Sequence, residues 1–286
     1  MRPSPSLRRA DRPADIRGVV SDLDGTLLRS DGTLSPATRG LLPALRRLGV
    51  PLVVATARTP RAIGKIAGHE DLGRVVCANG AVVWDAATDE VVHQRSFDPT
   101  ALAIAVRRLR RDLPEAGVAL LSARTMFLDP RYLALRNKRS DGAETFSDLE
   151  QVLTEHRVVL VAVRHPRLTA HRLLATTAAA FDRLGVASFA GPATVDVAPG
   201  AATKAVAVAD ELARWGCPRN STVVFGDMPN DLPLFAQSGW ACAMANSHPE
   251  VLAAADEVVG SNDDDGVART VRQILAAVDT ARGSDV

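Results

Sequence analysis

Short apolar segments alternate with amphipathic ones through most of this 286-residue chain. The segments RGVVSD, VPLVVAT and STVVFGD are apolar almost throughout, as expected for strands that are buried on both faces. Between the first two, SPATRGLLPALRRLGV places its leucines on one helical face, with Ser35 and Pro36 at its start. This alternation predicts an α/β fold with a doubly wound parallel sheet, covered by helices on both faces.

The alternation is interrupted near residue 84. The segment AVVWDAATDEVVHQRSF is typical of a hairpin, and the stretch that follows mixes helices with strands such as GVALLSA and VVLVAVRH. The strand–helix order returns with TKAVAVADELARWG. We therefore expect a disordered tail at 1–15, a core domain in two parts at 16–93 and 193–286, and an inserted α+β domain at 94–192.

Composition and charge restrict the classes of partner that the protein is expected to bind. Hydrophobic residues make up 47% of the chain, charged residues 23%, and the net charge is +1, a balance that predicts a globular protein without affinity for nucleic acid or membranes. The N-terminal segment has no apolar stretch of the kind found in secretory signals, and Cys77, Cys217 and Cys242 form no CxxC pair. We expect a cytoplasmic protein with buried, reduced cysteines, and the sequence does not predict its oligomeric state.

Three predicted strands end in a polar residue, namely Asp22, Thr56 and Asp227. Open parallel sheets bind ligands along the carboxyl edge of their strands, so these three side chains are expected to share one site. With Asp24 and Asp231 nearby in the sequence, four carboxylates would lie in one crevice, which requires protonation or a bound cation. Oxygen ligands without a Cys/His cluster favour Mg²⁺ with a substrate phosphate over zinc.

The two aspartates of VVSDLDGTLL can divide the work of phosphoryl transfer between them. Residues two apart on an extended strand point the same way. One carboxylate could attack phosphorus and form an aspartyl-phosphate, while the other gives and takes a proton. Gly25 would let the backbone approach the phosphate, and Lys204, at the start of a predicted helix, would supply a counter-charge. The DLDG run lacks the spacing and the distal Glu of an EF-hand calcium loop.

These motifs together resemble the haloacid dehalogenase superfamily of phosphohydrolases. The resemblance rests on DLDGTLL (22–28), ATAR (55–58), ANGA (78–81), Lys204 and GDMPND (226–231), and it extends from about 18 to 272. The long insertion after NGA, followed by MANSHPEV, is similar to the Cof-like branch, which implies a Rossmann-like core with a large inserted α/β cap. Two motifs depart from the usual pattern: TAR replaces TGR, and GAATKA replaces GvsKG. These changes bear on how the substrate fits more than on whether the site is active.

The resemblance implies a role for each matching residue. Asp22 would be the nucleophile and a Mg²⁺ ligand, and Asp24 the general acid/base, binding the metal through its carbonyl group. Thr56 would hold the transferring phosphate and Lys204 would neutralise it. Asp227 would bind Mg²⁺ directly and Asp231 would bind or orient it. The remaining phosphate-binding set implied by the same motifs is Gly25, Thr26, Ala57, Arg58, Asn79, Gly80 and Asn230.

Other polar segments are weaker candidates. The insertion offers a set of basic residues that could grip a polar substrate or lie in a solvated loop: Arg124, Arg136, Lys138, Arg139 and His165. His165 at the end of an apolar strand is better explained as structural. The run SNDDDG (261–266) could be a second metal site, but an acidic loop that caps the last helix explains it better.

The sequence thus predicts a Mg²⁺-dependent phosphomonoester hydrolase that acts on a small phosphorylated metabolite such as a sugar phosphate. A cap over the sheet edge would exclude bulk water and large partners, which favours a small-molecule substrate over a phosphoprotein. Two alternatives remain open: a phosphomutase, which would require a sugar bisphosphate, and a non-catalytic binding or regulatory protein. Retention of Asp22, Asp24, Lys204 and Asp227 argues against the second.

Overall fold

Two β-sheets organise the chain. The computed structural model describes residues 16–136, 142–191, 193–200 and 202–283, so the tail predicted at 1–15 lies outside the described residues. The fourteen strands of the described part are β1 (Gly18–Ser21), β2 (Leu52–Ala55), β3 (Arg74–Cys77), β4 (Val82–Asp85), β5 (Glu90–Gln94), β6 (Gly117–Leu121), β7 (Met126–Leu128), β8 (Ala143–Thr145), β9 (Leu160–Arg164), β10 (Gly185–Gly191), β11 (Thr194–Pro199), β12 (Thr222–Gly226), β13 (Trp240–Met244) and β14 (Glu257–Val259).

Helices connect these strands. In the part of the chain that the structure describes they are α1 (Pro36–Arg47), α2 (Pro60–Ile63), α3 (Pro99–Asp112), α4 (Pro130–Ala134), α5 (Leu149–Glu155), α6 (Ala170–Ala180), α7 (Lys204–Arg214), α8 (Leu232–Phe235), α9 (Pro249–Ala254) and α10 (Gly266–Gly283). Helix α1 begins as predicted, because Ser35 Oγ accepts a hydrogen bond from the Thr38 N–H and Pro36 occupies the first helical position. None of the described helices combines the length and the apolar character needed to cross a bilayer.

The first sheet has the strand order β14-β13-β12-β1-β2-β3-β4-β5. Its first six strands are mutually parallel, and β4 and β5 add an antiparallel hairpin at the β3 edge. This confirms the predicted α/β core and shows that the hairpin seen in the sequence extends the core sheet. The order places β1 between β12 and β2, so that the segments on either side of the insertion pair directly.

The second sheet has the order β10-β11-β9-β6-β7-β8 and is antiparallel except between β7 and β8. Its apolar face, which includes Val118, Val161 and Val195, packs with buried residues of α3, α5 and α6. Strand β11 lies beyond residue 192, so the predicted boundary at 192 cuts off one strand of this sheet. The run TVDVAP escaped prediction because Asp196 interrupts its apolar pattern. Strands β7, β8 and β10 were also missed.

Apolar packing fixes the ends of the core strands. Val20, Val54 and Phe225, on three adjacent strands of the first sheet, are fully buried. All three cysteines, Cys77, Cys217 and Cys242, are buried and form no disulfide, as predicted. The carboxyl ends of β1, β2 and β12 therefore emerge side by side from a rigid core.

Candidate active site

The turn after β1 separates the two aspartates of the DLDG motif. Strand β1 ends at Ser21, and Leu23–Leu27 form a single irregular turn that contains Gly25 at φ +72°. The prediction that both carboxylates project from one extended strand is therefore wrong. The side chain of Asp22 is 9% exposed, whereas the side chain of Asp24 is 51% exposed. The turn gives the two carboxylates different surroundings, as the predicted division into nucleophile and acid/base would require.

Position 25 requires a glycine. A Cβ atom at this position would lie 2.5 Å from Asp227 Oδ2, and the positive φ disfavours any L side chain. The neighbouring Thr26 Oγ1 donates a hydrogen bond of 2.8 Å to Asp227 Oδ1. The predicted phosphate-binding residues Gly25 and Thr26 thus pack directly against the carboxylate at the end of β12.

Lys204 occupies the first position of α7, behind Thr203, whose side chain caps the helix. Its Nζ donates hydrogen bonds to Asp22 Oδ1 at 2.5 Å and to Asp231 Oδ1 at 2.9 Å. Lys204 is 5% exposed. Burial alone would lower the pKa of Lys204, but Asp22 and Asp231 outweigh it and hold that pKa above its ordinary value. Lys204 therefore stays positively charged between two carboxylates.

Three buried carboxylates, those of Asp22, Asp227 and Asp231, have oxygen atoms within 4.8 Å of one another. Asp231 Oδ2 accepts hydrogen bonds from the backbone N–H groups of Asp227 and Met228, which fixes it behind the cluster. Burial raises the pKa of Asp22 well above its usual range; Asp231 and Asp227 add to this effect, and Lys204 opposes it. Burial likewise raises the pKa of Asp227 to about 6, against the hydrogen bond from Thr26.

The charges of this cluster do not balance within the protein. Three carboxylates face one ammonium group, and like charges this close disfavour ionisation. An all-oxygen donor set with excess negative charge fits a hard divalent cation such as Mg²⁺. Asp22, Asp227 and Asp231 are the side chains that could hold it, and the carboxylate of Asp24 is not in this group.

Asp24 is held by Arg58 instead. Arg58 Nε donates to Asp24 Oδ2 at 2.8 Å and Nη2 donates to Oδ1, a bidentate pair. The backbone N–H of Arg58 donates to Thr56 Oγ1 at 3.0 Å, and Thr56 is buried at the end of β2. The Arg58 guanidinium group, predicted to bind phosphate, therefore contacts Asp24, the predicted acid/base. Ala57, between Thr56 and Arg58 in the sequence, is partly exposed.

The turn Ala78–Gly80 closes one side of the site. Asn79 is in the left-handed region at φ +54°, and its N–H donates to the Thr56 carbonyl group at 3.0 Å. Gly80 has φ +103°, and a Cβ atom there would lie 2.3 Å from the Thr203 carbonyl oxygen. Among the described residues, the side-chain Oδ1 atoms of Asn79 and Asn230 are buried and have no hydrogen-bond partner. Both amides are therefore candidates to contact a bound ligand, which is the role that the family resemblance implies for them.

Two positioning residues were not predicted from the sequence. Asn246 Nδ2 donates to the Gly25 carbonyl group at 2.8 Å, and Ser247 Oγ donates to the Gly226 carbonyl group at 3.2 Å. Both residues follow β13, the strand that pairs with β12, and they hold the turn after β1 and the end of β12 in place. The signal was available in MANSHPEV, where polar residues follow the apolar run WACAM.

The basic candidates of the insertion have other partners. Arg124 Nη1 pairs with Asp89 Oδ1 at 2.5 Å, on the β4–β5 hairpin. Arg136 Nη1 contacts Met126 Sδ at 3.4 Å. His165 Nδ1 accepts hydrogen bonds from the N–H groups of Arg167 and Leu168, so it stabilises a turn. Lys138 and Arg139 lie outside the described residues.

The acidic loop at 261–266 binds the segment that follows the DLDG turn. Asp263 accepts hydrogen bonds from the N–H and Oγ of Ser30, and Asp265 pairs with Arg29 at 3.0 Å. Asp264 accepts a hydrogen bond from Ser261 Oγ, so all three carboxylates of the loop have protein partners. The loop precedes α10, as predicted, and it also anchors the turn of the site.

Comparisons with known proteins identify the family. Residues 19–271 match the family model described as haloacid dehalogenase-like hydrolase. The chain is 24% identical over 270 residues to the 5-amino-6-(5-phospho-D-ribitylamino)uracil phosphatase YcsE of Bacillus subtilis, covering 93% of this chain and 98% of the relative. It is 25% identical to the pyridoxal phosphate phosphatase YbhA of Escherichia coli, covering 89% and 97%.

A solved structure shows the same architecture. The crystal structure of a Streptococcus mutans protein superposes with a TM-score of 0.79 at 21% identity, covering 91% of this chain and 99% of that one. The likeness extends over both sheets, because so much of each chain is covered.

Proposed function

The chain belongs to the haloacid dehalogenase-like hydrolases, and from this premise we propose that it is a Mg²⁺-dependent phosphatase that hydrolyses a small phosphorylated metabolite through an aspartyl-phosphate on Asp22. The observation that carries the proposal is the buried cluster in which Lys204 bridges Asp22 and Asp231 beside Asp227. Such a cluster combines a nucleophilic carboxylate with positive charge for a phosphate group. The phosphatase names of the two long-aligned relatives support the same reaction class.

In the proposed first step, an oxygen of Asp22 forms a bond to phosphorus as the bond from phosphorus to the leaving oxygen breaks. Asp24 gives its proton to that leaving oxygen, and the alcohol departs. In the second step, Asp24 takes a proton from a water molecule whose oxygen attacks phosphorus; the bond between phosphorus and the Asp22 oxygen breaks, which releases inorganic phosphate and restores the Asp22 carboxylate. Lys204 Nζ, already bonded to Asp22, opposes the negative charge of the transferring group.

The carboxylates of Asp22, Asp227 and Asp231 would hold Mg²⁺, with Asp24 contributing its carbonyl group. When bound, the cation supplies charge neutralisation for the phosphate and for the carboxylates that Lys204 alone does not balance. Thr56, Asn79 and Asn230 would bind the phosphate oxygens.

The substrate is proposed to be small, with sugar phosphates as the first class to test. The loop between β6 and β7 of the inserted domain contacts α2 of the core, where the Arg61 N–H donates to the Ala123 carbonyl group, and it contacts the β4–β5 hairpin through Arg124 and Asp89. A cap in this position would exclude bulk water and large partners. Both named relatives act on phosphate esters of small molecules.

The test is phosphate release from a panel of sugar phosphates, nucleotides and cofactor phosphates, with Mg²⁺ or EDTA. Wild type is compared with Asp22→Asn and with Asp182→Asn, a matched change at an exposed carboxylate outside the site. We expect Mg²⁺-dependent turnover by wild type and Asp182→Asn, and a loss of about a thousandfold or more in Asp22→Asn. Turnover that persists in Asp22→Asn would overturn the aspartyl-phosphate mechanism. Transfer of the phosphoryl group only in the presence of a sugar bisphosphate would identify a mutase.

A further inference from the structure

The acidic loop at 261–266 presents one buried amide to the turn of the site. Asn262 is 6% exposed, whereas the next residue, Asp263, is exposed to solvent. Asn262 Nδ2 donates a hydrogen bond to the Leu28 carbonyl group at 3.0 Å and a longer one to Ser30 Oγ at 3.3 Å. The loop thus directs a polar side chain into the interior, where it binds the backbone that follows the DLDG turn.

Leu28 is the residue that closes this turn. Its N–H donates to the Leu23 carbonyl group at 2.8 Å, and the bond encloses Asp24 and Gly25. Leu28 is fully buried, and a buried carbonyl group that loses its hydrogen-bond partner destabilises the conformation that buries it. The bond from Asn262 therefore fixes the far end of the turn that carries Asp24.

The backbone of Asn262 fixes the middle of the same turn through Asn246. The Asn262 N–H donates to Asn246 Oδ1 at 3.1 Å, and Asn246 Nδ2 donates to the Gly25 carbonyl group at 2.8 Å. A backbone N–H only donates and a carbonyl oxygen only accepts, so these two partners determine the orientation of the Asn246 amide. One residue of the loop thus holds the turn at two carbonyl groups, those of Gly25 and Leu28.

The loop that carries Asn262 is ordered by its own hydrogen bonds. Ser261 Oγ donates to Asp264 Oδ2 at 2.6 Å, and the Gly266 N–H donates to the Ser261 carbonyl group at 3.0 Å. A Cβ atom at position 266 would clash with the Gly260 carbonyl group, so the two ends of the loop lie in contact. Asn262 is therefore presented to the turn by a closed loop, which preorganises both of its donors.

We propose that Asn262 is a positioning residue for the reaction, whose amide and backbone N–H hold the turn after β1 so that Asp24 is in place for proton transfer. This inference rests on the proposed phosphatase function and adds to it a residue outside the motifs that resemble the family. Asn262 acts through the backbone of the turn. Its loss shifts the turn, and a displacement of about 1 Å at a catalytic group reduces the rate by up to about a hundredfold.

Two variants separate hydrogen bonding from packing. Asn262→Ala removes the side chain, whereas Asn262→Asp keeps its shape and replaces the Nδ2 donor by an oxygen atom, which cannot donate to the Leu28 carbonyl group when ionised. At pH 7.5 and saturating Mg²⁺ we expect both variants to lower kcat by about tenfold to a hundredfold and to change KM by less than about threefold. A side chain that only filled space would leave Asn262→Asp with the wild-type kcat.

Two control variants accompany them. Asn220→Ala makes the same chemical change at an exposed position just before β12. Gly49→Ala introduces backbone strain after α1, where nothing lies within 4 Å of the added Cβ atom. With kcat referred to the folded fraction from urea unfolding, both controls should keep the wild-type value. A wild-type kcat in Asn262→Ala or in Asn262→Asp would overturn the proposal.

Hydrogen–deuterium exchange separates this inference from the proposed function, because it needs no turnover. In EDTA, the peptide that covers 23–28 should exchange about tenfold faster in both Asn262 variants than in wild type and Asn220→Ala, since a buried hydrogen bond contributes about that factor. The peptide over α3, in the inserted domain, should exchange at the wild-type rate in every variant.

The two measurements fail independently. If wild type releases phosphate from none of the substrates, the proposed function fails, and exchange decides the role of Asn262: faster exchange confined to 23–28 supports it as the residue that holds the turn. Unchanged exchange at 23–28 overturns the inference whatever the activity. Turnover by wild type with unchanged exchange in the Asn262 variants supports the phosphatase and refutes the positioning role.

Discussion

Asp22 and Lys204 lie 182 positions apart in the sequence, yet Lys204 Nζ is 2.5 Å from Asp22 Oδ1. Both residues are buried, and Asp231 is the second partner of the same ammonium group. The pair joins the turn after β1 to the start of α7, on the two sides of the inserted domain. The site is therefore complete only when the two parts of the core have folded together.

Replacing Lys204 by Gln should cost both stability and activity. The change leaves Asp22 and Asp231 buried without their common cation, which typically costs about 3–5 kcal/mol, and phosphate release should fall by about a hundredfold or more. Urea unfolding at pH 7.5 measures the first effect and steady-state assays the second. Mg²⁺ should restore part of the lost stability, because it supplies positive charge to the same carboxylates. Arg47→Gln, which removes the same charge from an exposed position at the end of α1, is the reference. An unchanged free energy of unfolding of Lys204→Gln in EDTA would contradict this interpretation.

Gly80→Ala should destabilise the protein more than Gly49→Ala. Both glycines have positive φ, +103° and +65°, so both substitutions introduce backbone strain of about 1 kcal/mol or more. A Cβ atom at position 80 would also lie 2.3 Å from the Thr203 carbonyl oxygen, whereas nothing lies within 4 Å of one at position 49. We expect at least twice the loss of unfolding free energy for Gly80→Ala. Equal losses in urea titrations would show that the close approach to Thr203 is relaxed at little cost.

Mg²⁺ should raise the melting temperature of wild type by several degrees, because a ligand that binds only the folded state stabilises it. Asp227→Asn should abolish that shift and, at pH 8 in EDTA, should melt higher than wild type. The second effect follows from the pKa of Asp227, which is raised to about 6, since its ionised form is disfavoured in the folded state.

Asp264→Asn serves as the control for this metal prediction. It lies in the acidic loop at 261–266, where its carboxylate accepts a hydrogen bond from Ser261 Oγ. It should retain the Mg²⁺-dependent rise in melting temperature. Loss of the rise in Asp264→Asn, with retention in Asp227→Asn, would move the metal site to the loop.

Asp196→Asn should stabilise the protein more at pH 8 than at pH 4. Burial on β11 raises the pKa of Asp196 to about 7, although Arg164 opposes the shift. Between about pH 4 and 7 the folded state therefore keeps a proton on the Asp196 carboxyl group. The unfolded state, in which the pKa of this group is about 3.9, has released that proton. Stability contributed by the neutral acid is present below about pH 4 and is lost as pH rises toward 7, whereas Asn stays neutral throughout.

The measurement for Asp196 is thermal unfolding from pH 4 to 8, taken as the difference between variant and wild type. The difference should grow between about pH 4 and 7 and then level off. Asp182→Asn, at a carboxylate that is 72% exposed, is the matched control and should give a flat difference. A flat profile for Asp196→Asn as well would mean that the Asp196 carboxyl group is solvated in the folded protein.

The core sheet could be predicted because its signals are local. Runs such as VPLVVAT and STVVFGD are buried on both faces, so their composition alone distinguishes them, and a polar residue marks each strand end. The inserted domain was predicted less well. Its strands β8 and β10 are short or half-exposed and β11 contains a buried aspartate, so their patterns resemble those of loops.

The sequence by itself determined the α/β class of the core, the family and the residue types that gather at the sheet edge, because apolar periodicity and motif spacing are properties of adjacent residues. Only the tertiary structure decided which groups meet. It placed Lys204 between Asp22 and Asp231, paired Asp24 with Arg58, and paired Arg124 with Asp89 on the hairpin. Such pairings depend on side-chain direction after a strand has ended and on packing between distant segments. Burial then decides how strongly each charge acts.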